Sequence, residues 1–234
     1  RSRCWHLCPR PRPCAKQRWT DGATTPSPAS TARHAESTHL TPRGPPSGRT
    51  TGLRGHDLAF LILFAGYENT VQLIGNAVLG LLQHPAQLAA LRADPARLPA
   101  AVEEFARFEG PALLAIRRFA TEDVTIGDVT VPAGETVLLS LAAANRDPAR
   151  FPDPDRLDLG RDASGHLALG HGVHYCLGAP LARAETEIAL AALLERFPDL
   201  RLAAPDLDWR PSLRARGLRS LPVTYSEKNL SPHR

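Results

Sequence analysis

Residues 169–178 read LGHGVHYCLG, and residues 179–197 follow at once as APLARAETEIALAALLERF. One cysteine, Cys176, closes a glycine-rich loop that runs straight into an Ala/Leu-rich helical segment. Gly170, Gly172 and Gly178 are expected to admit positive φ and a close approach to a flat ligand. The helix that follows turns its free N–H groups and positive dipole end toward the sulfur. Both effects favour the thiolate, the form that binds metal. For an isolated cysteine the bland alternative is a buried free thiol after a turn.

The loop resembles the haem-binding loop of the cytochrome P-450 monooxygenases, whose pattern is F-G-x-G-x-H/R-x-C-x-G. Here the matching residues are Leu169, Gly170, Gly172, His174, Cys176 and Gly178, with Leu in place of Phe at the first position. The resemblance implies that Cys176 is the axial thiolate of haem b, where it pushes electron density toward O–O cleavage. It also implies that Leu169 packs near the sulfur and that His174 contacts a haem propionate.

Upstream, residues 57–82, DLAFLILFAGYENTVQLIGNAVLGLL, contain no proline and are apolar on nearly all faces. The reading is a helix from Asp57, its candidate N-cap, spanning ~39 Å at about 1.5 Å per residue. A membrane span is the obvious rival, but Glu68, Asn69, Gln72 and Asn76 interrupt the apolar run. A helix buried all round in a soluble protein fits better. Its middle, Ala65-Gly66-Tyr67-Glu68-Asn69-Thr70, resembles the family's oxygen-binding groove, A-G-x-[D/E]-[T/S]. By that resemblance Ala65 and Gly66 let the haem lie close, and Glu68 and the following alcohol relay protons. Asn69 stands where the alcohol is usual, and Thr70 is next in line. An amide can hydrogen-bond a distal ligand or a water but relays protons less well, so Asn69 is given a positioning role.

Between the two segments, Glu104-x-x-Arg107 in AAVEEFARFEGP places an acid and a base at i and i+3 on a helix, where they can pair. Alone, the pattern reads equally as a weak surface ion pair. In the family it is a buried pair joined by an Arg from the meander before the cysteine loop, and FPDPDRLDLGR offers Arg156, with Leu157 at the position usually aromatic. Residues 117–139 read as short strands. Val124, Ile126, Val129 and Val131 flank a turn at Gly127-Asp128, and Pro132-Ala133-Gly134 forms the next. The resemblance assigns Arg118 to a haem propionate, with Arg117 as the neighbouring alternative; either suits a carboxylate.

Composition bounds the chain without naming its function. Its 234 residues, 43% apolar, suffice for one large or two small domains. The formal charge of +4 is misleading, because residues 1–55 hold 10 of the 28 basic and only 2 of the 24 acidic residues. The remainder is net acidic, which argues against a nucleic-acid partner. Residues 1–55 carry eight prolines and no apolar periodicity. They are expected to be a disordered, Pro/Arg-rich, non-native leader. They show no signal-peptide core. Cys4, His6, Cys8 and Cys14 allow a zinc reading, but no second pair at finger spacing follows.

The expected organisation is therefore a leader over 1–55, a cytochrome P-450 C-terminal haem-binding region over 56–225, and a tail over 226–234. The fold class is mainly α with small β elements, the C-terminal part of that fold. The implied activity is insertion of one atom of O2 into a small organic substrate, a secondary metabolite by resemblance to soluble bacterial members. Electrons would come from NAD(P)H through ferredoxin reductase and ferredoxin, in the cytoplasm, with no membrane partner. The alternatives are a haem-thiolate peroxygenase and an inactive truncated remnant that binds haem weakly or not at all.

Overall fold

The computed structural model describes residues 40–41 and 55–226; the Cys4–Cys14 cluster lies outside them. Helices dominate: α1 (Gly55–Gln83), α2 (Pro85–Ala93), α3 (Leu98–Glu109), the one-turn α4 (Leu141–Ala144) and α5 (Ala179–Arg196). Seven short strands, β1 (Leu40–Thr41), β2 (Arg118–Ala120), β3 (Val124–Ile126), β4 (Val129–Val131), β5 (Thr136–Val137), β6 (Arg201–Leu202) and β7 (Val223–Thr224), form one three-stranded and two two-stranded antiparallel sheets. This is the mainly α, partly β class expected from the sequence.

Helix α1 runs for 29 residues. Asp57 is not its N-cap; it lies inside the first turn, where a carboxylate still complements the positive helix end. The helix stops where Pro85 holds His84 out of the helical region, at φ −124° and ψ 74°. The His84 ring then bonds the Gly80 carbonyl at 2.8 Å, satisfying one of the carbonyls a helix end leaves open.

Only the second half of α1 is buried, which corrects the expectation of burial on all faces. Leu58, Phe60 to Phe64 and Tyr67 are exposed, Leu63 to 71%, whereas Leu73, Ala77, Val78 and Leu81 enter the core. The cause is positional: α3 and α5 supply the core that receives α1 only from Leu73 onward. By length and composition the stretch His56–Gln83 could cross a membrane. Its polar residues, however, are used within the protein. Gln72 and Asn76 are buried, and the Asn76 amide donates to the backbone carbonyls of Glu109 at 2.9 Å and Arg216 at 3.2 Å.

Helix α3 is strongly two-sided and buries Leu98, Ala101, Val102, Phe105 and Ala106 against α1 and α5. It ends at Gly110, where a Cβ would stand 2.3 Å from the Ala106 carbonyl oxygen, so no larger residue fits. The β3–β4 hairpin forms around the expected turn, with Val124 opposite Val131 and Ile126 opposite Val129. Gly127, at φ +60°, makes its two-residue turn. After β5, Ser140 caps α4 through a 3.2 Å bond from the Ala143 N–H. An irregular meander then leads to a 3-10 turn, Gly172–His174, and into α5.

The division of α1 gives a direct test. Leu81→Ala removes a fully buried side chain and should cost about 2–5 kcal/mol, while Leu63→Ala should change stability by less than about 0.5 kcal/mol. Urea denaturation of the two variants of the full chain measures both, and equal losses would contradict the asymmetry.

Candidate functional site

The cysteine loop is closed by its own backbone. Cys176 N–H donates to Leu169 C=O at 2.8 Å, Tyr175 N–H to Gly172 C=O at 3.0 Å, and Gly170 N–H to Leu167 C=O at 2.9 Å. Gly170 has φ +79°, and a Cβ there would stand 2.7 Å from the His174 carbonyl oxygen. Glycine is therefore obligatory at this position. Gly172 also has positive φ, +58°, with open space where a Cβ would be. Gly178 does not share this conformation: at φ −83° it is the N-cap of α5, and a Cβ there would be an ordinary 3.9 Å from the Cys176 sulfur.

Cys176 is a free, exposed thiol, not the buried one of the bland reading. Val173 and Leu177 beside it are each 94% exposed. His174 is exposed and Leu169 half-buried. Among the described residues no group of three or more His, Cys, Asp or Glu side chains could hold a metal. An uncovered sulfur, apolar neighbours open to solvent and empty space over Gly172 fit a broad, flat, largely apolar group held by one thiolate.

On α1, Ala65, Gly66 and Asn69 are all exposed. Gly66 and Ala65 lie three and four residues before Asn69, which puts both on its face of the helix. No atom lies within 4 Å of where a Gly66 Cβ would be. Thr70 does not belong to that face; it is turned into the protein and 8% exposed, because one further residue rotates the side chain toward the core. Asn69 is thus the open side chain of the pair. The Glu68 carboxylate is engaged by Arg210, 3.1 Å away, a partner from the C-terminal segment that the sequence reading missed.

The acid–base pair of α3 is fully buried. Glu104 and Arg107 have no exposed side-chain surface and pair through two hydrogen bonds, 2.6 and 2.7 Å. Arg107 also donates to the carbonyls of Asn145 at 2.9 Å and Pro154 at 3.0 Å. The third member is Arg161, whose Nε lies 3.3 Å from Glu104, and not the expected Arg156. The Arg156 side chain is 64% exposed and pairs with Asp158; only its backbone carbonyl meets Arg107 and Arg161. Leu157 explains the difference. It is sunk into the core at 1% exposure, and this turns the side chain before it toward solvent. Arg161 is the second arginine of FPDPDRLDLGR, and nothing local in that stretch distinguishes it from Arg156.

The β2 strand separates the two arginines named for a ligand carboxylate. Arg118 is buried and donates to the Ile116 carbonyl at 3.1 Å. Arg117 is exposed and lies over the Phe119 ring at 5.5 Å.

The buried triad makes a prediction. Glu104→Ala leaves Arg107 buried without its carboxylate and should cost about 3–5 kcal/mol. Arg156→Ala loses only an exposed pair and should cost less than about 1 kcal/mol. Thermal or urea unfolding compares them; a larger effect at Arg156 would make Arg156, and not Arg161, the third member of the triad.

The sequence model of the cytochrome P450 family matches residues 57–203. Cytochrome P450 107B1 of Saccharopolyspora erythraea is 56% identical over 168 residues, 71% of this chain and 42% of that protein. The cytochrome P450 monooxygenase PikC of Streptomyces venezuelae is 54% identical over 170 residues, covering 72% of this chain and 41% of its own length. The solved structure of the tirandamycin C-bound P450 monooxygenase TamI superposes with a TM-score of 0.71 at 53% identity, over 73% of this chain and 43% of that one. The chain thus spans about two fifths of the length of the relatives it matches, their C-terminal part. On this match and these identities, the chain belongs to the cytochrome P450 family.

Proposed function

We propose that the chain carries the thiolate side of a haem b site and that its activity is monooxygenation of a small organic secondary metabolite. The observation that carries this is the open Cys176 sulfur, set at the N-terminus of α5 on a loop that glycine at 170 alone can close. When bound, haem supplies the reductive activation of O2 that places one oxygen atom in the substrate. Cys176 would hold the iron of the group through its sulfur, and thiolate ligation would supply the electron density that O–O cleavage needs. Arg118 and His174 would donate hydrogen bonds to the carboxylates of the group. Leu169 packs behind the sulfur.

On α1, Ala65 and Gly66 would leave room for close approach of the group. Asn69, with an amide that both donates and accepts, holds a water or a substrate hydroxyl. Glu68 is the proton-carrying acid of this face, and Arg210 orients its carboxylate. Thr70, buried, takes no part. Electrons reach such a site from NAD(P)H through a ferredoxin reductase and a ferredoxin, a soluble cytoplasmic arrangement. The extent of the match, the names of the relatives and the buried second half of α1 support this reading. A second reading, weak haem retention by the chain alone, is favoured by the solvent exposure of residues 171–178 and of the first half of α1.

The test is a carbon-monoxide difference spectrum of the reduced, purified chain with added haem. A thiolate-type Soret band is expected. Cys176→Ser should abolish it and Cys8→Ser should leave it unchanged. A larger effect at Cys8 would overturn the assignment, and the absence of any band in the parent chain would favour the second reading.

A further inference from the structure

Beside Glu104 on α3 stands Glu103, which takes no part in the buried triad. Its carboxylate receives Arg183 of α5 through Nε and through Nη2, the latter at 2.9 Å, and His166 Nε2 at 3.1 Å. Arg183 holds this carboxyl down at about 2, against the opposing effect of burial, so Glu103 is ionised throughout the neutral range.

His166 is buried, and its other ring nitrogen has a defined partner. Nδ1 lies 3.1 Å from the backbone nitrogen of Ala168. A backbone N–H can only donate, so Nδ1 must present its lone pair and the ring proton must sit on Nε2, facing Glu103. The carboxylate therefore selects the tautomer that the loop requires. Ala168 adjoins Leu169, whose carbonyl receives the Cys176 N–H. The preceding amide, Leu167 N–H, is taken at 2.6 Å by the Asn145 side chain, and the Asn145 carbonyl is held by Arg107. The two adjacent acids of α3 thus run two separate lines to the same loop arm. Glu104 acts through Arg107 and Asn145 to Leu167, and Glu103 acts through His166 to Ala168.

We propose that Glu103 and His166 are positioning residues for Cys176: Glu103 fixes the Nε2–H tautomer of His166, and His166 Nδ1 anchors the backbone that receives the cysteine N–H. The role rests on the reading of Cys176 as the ligand of the site. The experiment nevertheless needs no haem, so its failure and a failure of haem binding are distinguishable.

Asparagine places an acceptor where histidine has Nδ1, and the i to i+2 bond is one that Asn readily forms. Glutamine reaches toward Nε2 and has nothing at the Nδ1 position. Backbone hydrogen exchange of the full chain without haem, resolved to single amides, compares His166→Asn, His166→Gln and Glu103→Leu. Ala77 and Leu81 of α1 report global stability. His166→Gln should speed exchange at Ala168 and Cys176 about five-fold, the factor one lost hydrogen bond gives. His166→Asn should stay within about two-fold of the parent. Glu103→Leu should raise the Ala168 rate by about two-fold or more, because the tautomer is no longer selected. Equal Ala168 rates in the two His166 variants, whether slow or fast, overturn the proposal. So does an acceleration in His166→Gln that extends to Ala77 and Leu81, and an unchanged Ala168 in Glu103→Leu removes Glu103 from it.

Discussion

The structure turns on a charge pair placed where water cannot reach it. Glu104 and Arg107 are fully buried, and an ion pair so placed gains little stability over an apolar pair of the same volume. What it gains is specification. Arg107 has donors left over after meeting Glu104, and each must be satisfied in the interior. They take carbonyls from Asn145 and Pro154, residues of a meander that has no regular structure of its own. The remaining acceptor capacity of Glu104 draws in Arg161 and the Asp158 N–H. A segment of irregular backbone acquires one conformation because a buried guanidinium and a buried carboxylate tolerate no other.

What was legible in the sequence follows from this. Local rules sufficed where local physics decides: the hairpin turn at Gly127-Asp128 and the helix after Gly178. The Glu104–Arg107 pair was legible from helical spacing, since i and i+3 side chains meet on any helix. The third arginine was not. Choosing between Arg156 and Arg161 depends on which way a non-repeating backbone turns, and the buried Leu157 settles that through tertiary packing. Likewise Glu68 showed as an acid but not its partner Arg210, 142 positions away in sequence. The positive φ expected of all three loop glycines is present at two of them, Gly170 and Gly172. Composition names a glycine without saying whether its conformation or its small size is being used.

The central helix shows how one uniform apolar run can serve two environments. From Leu73 onward its apolar side chains are core, and its buried amide, Asn76, ties α3 and the C-terminal segment to it. Before that point the same composition is turned outward, with Phe60 and Phe64 stacked 6.1 Å apart. A contiguous exposed patch of this kind is a surface that seeks a cover. The open face with Ala65, Gly66 and Asn69 lies in this first half, close to the boundary between the two regimes.

The glycines of the cysteine loop carry one last consequence. Gly165, Gly170 and Gly172 all adopt positive φ within eight residues, and glycine loses more backbone freedom on ordering than any other residue. A ligand that had to order such a loop itself would bear that entropy as lost affinity. Were the binding-competent loop formed only about a tenth of the time, apparent affinity would fall about ten-fold. The anchors at Leu167, Ala168 and Leu169 move that ordering into the folding of the protein. The loop is thus a case of affinity set before the ligand arrives, by hydrogen bonds that never touch it.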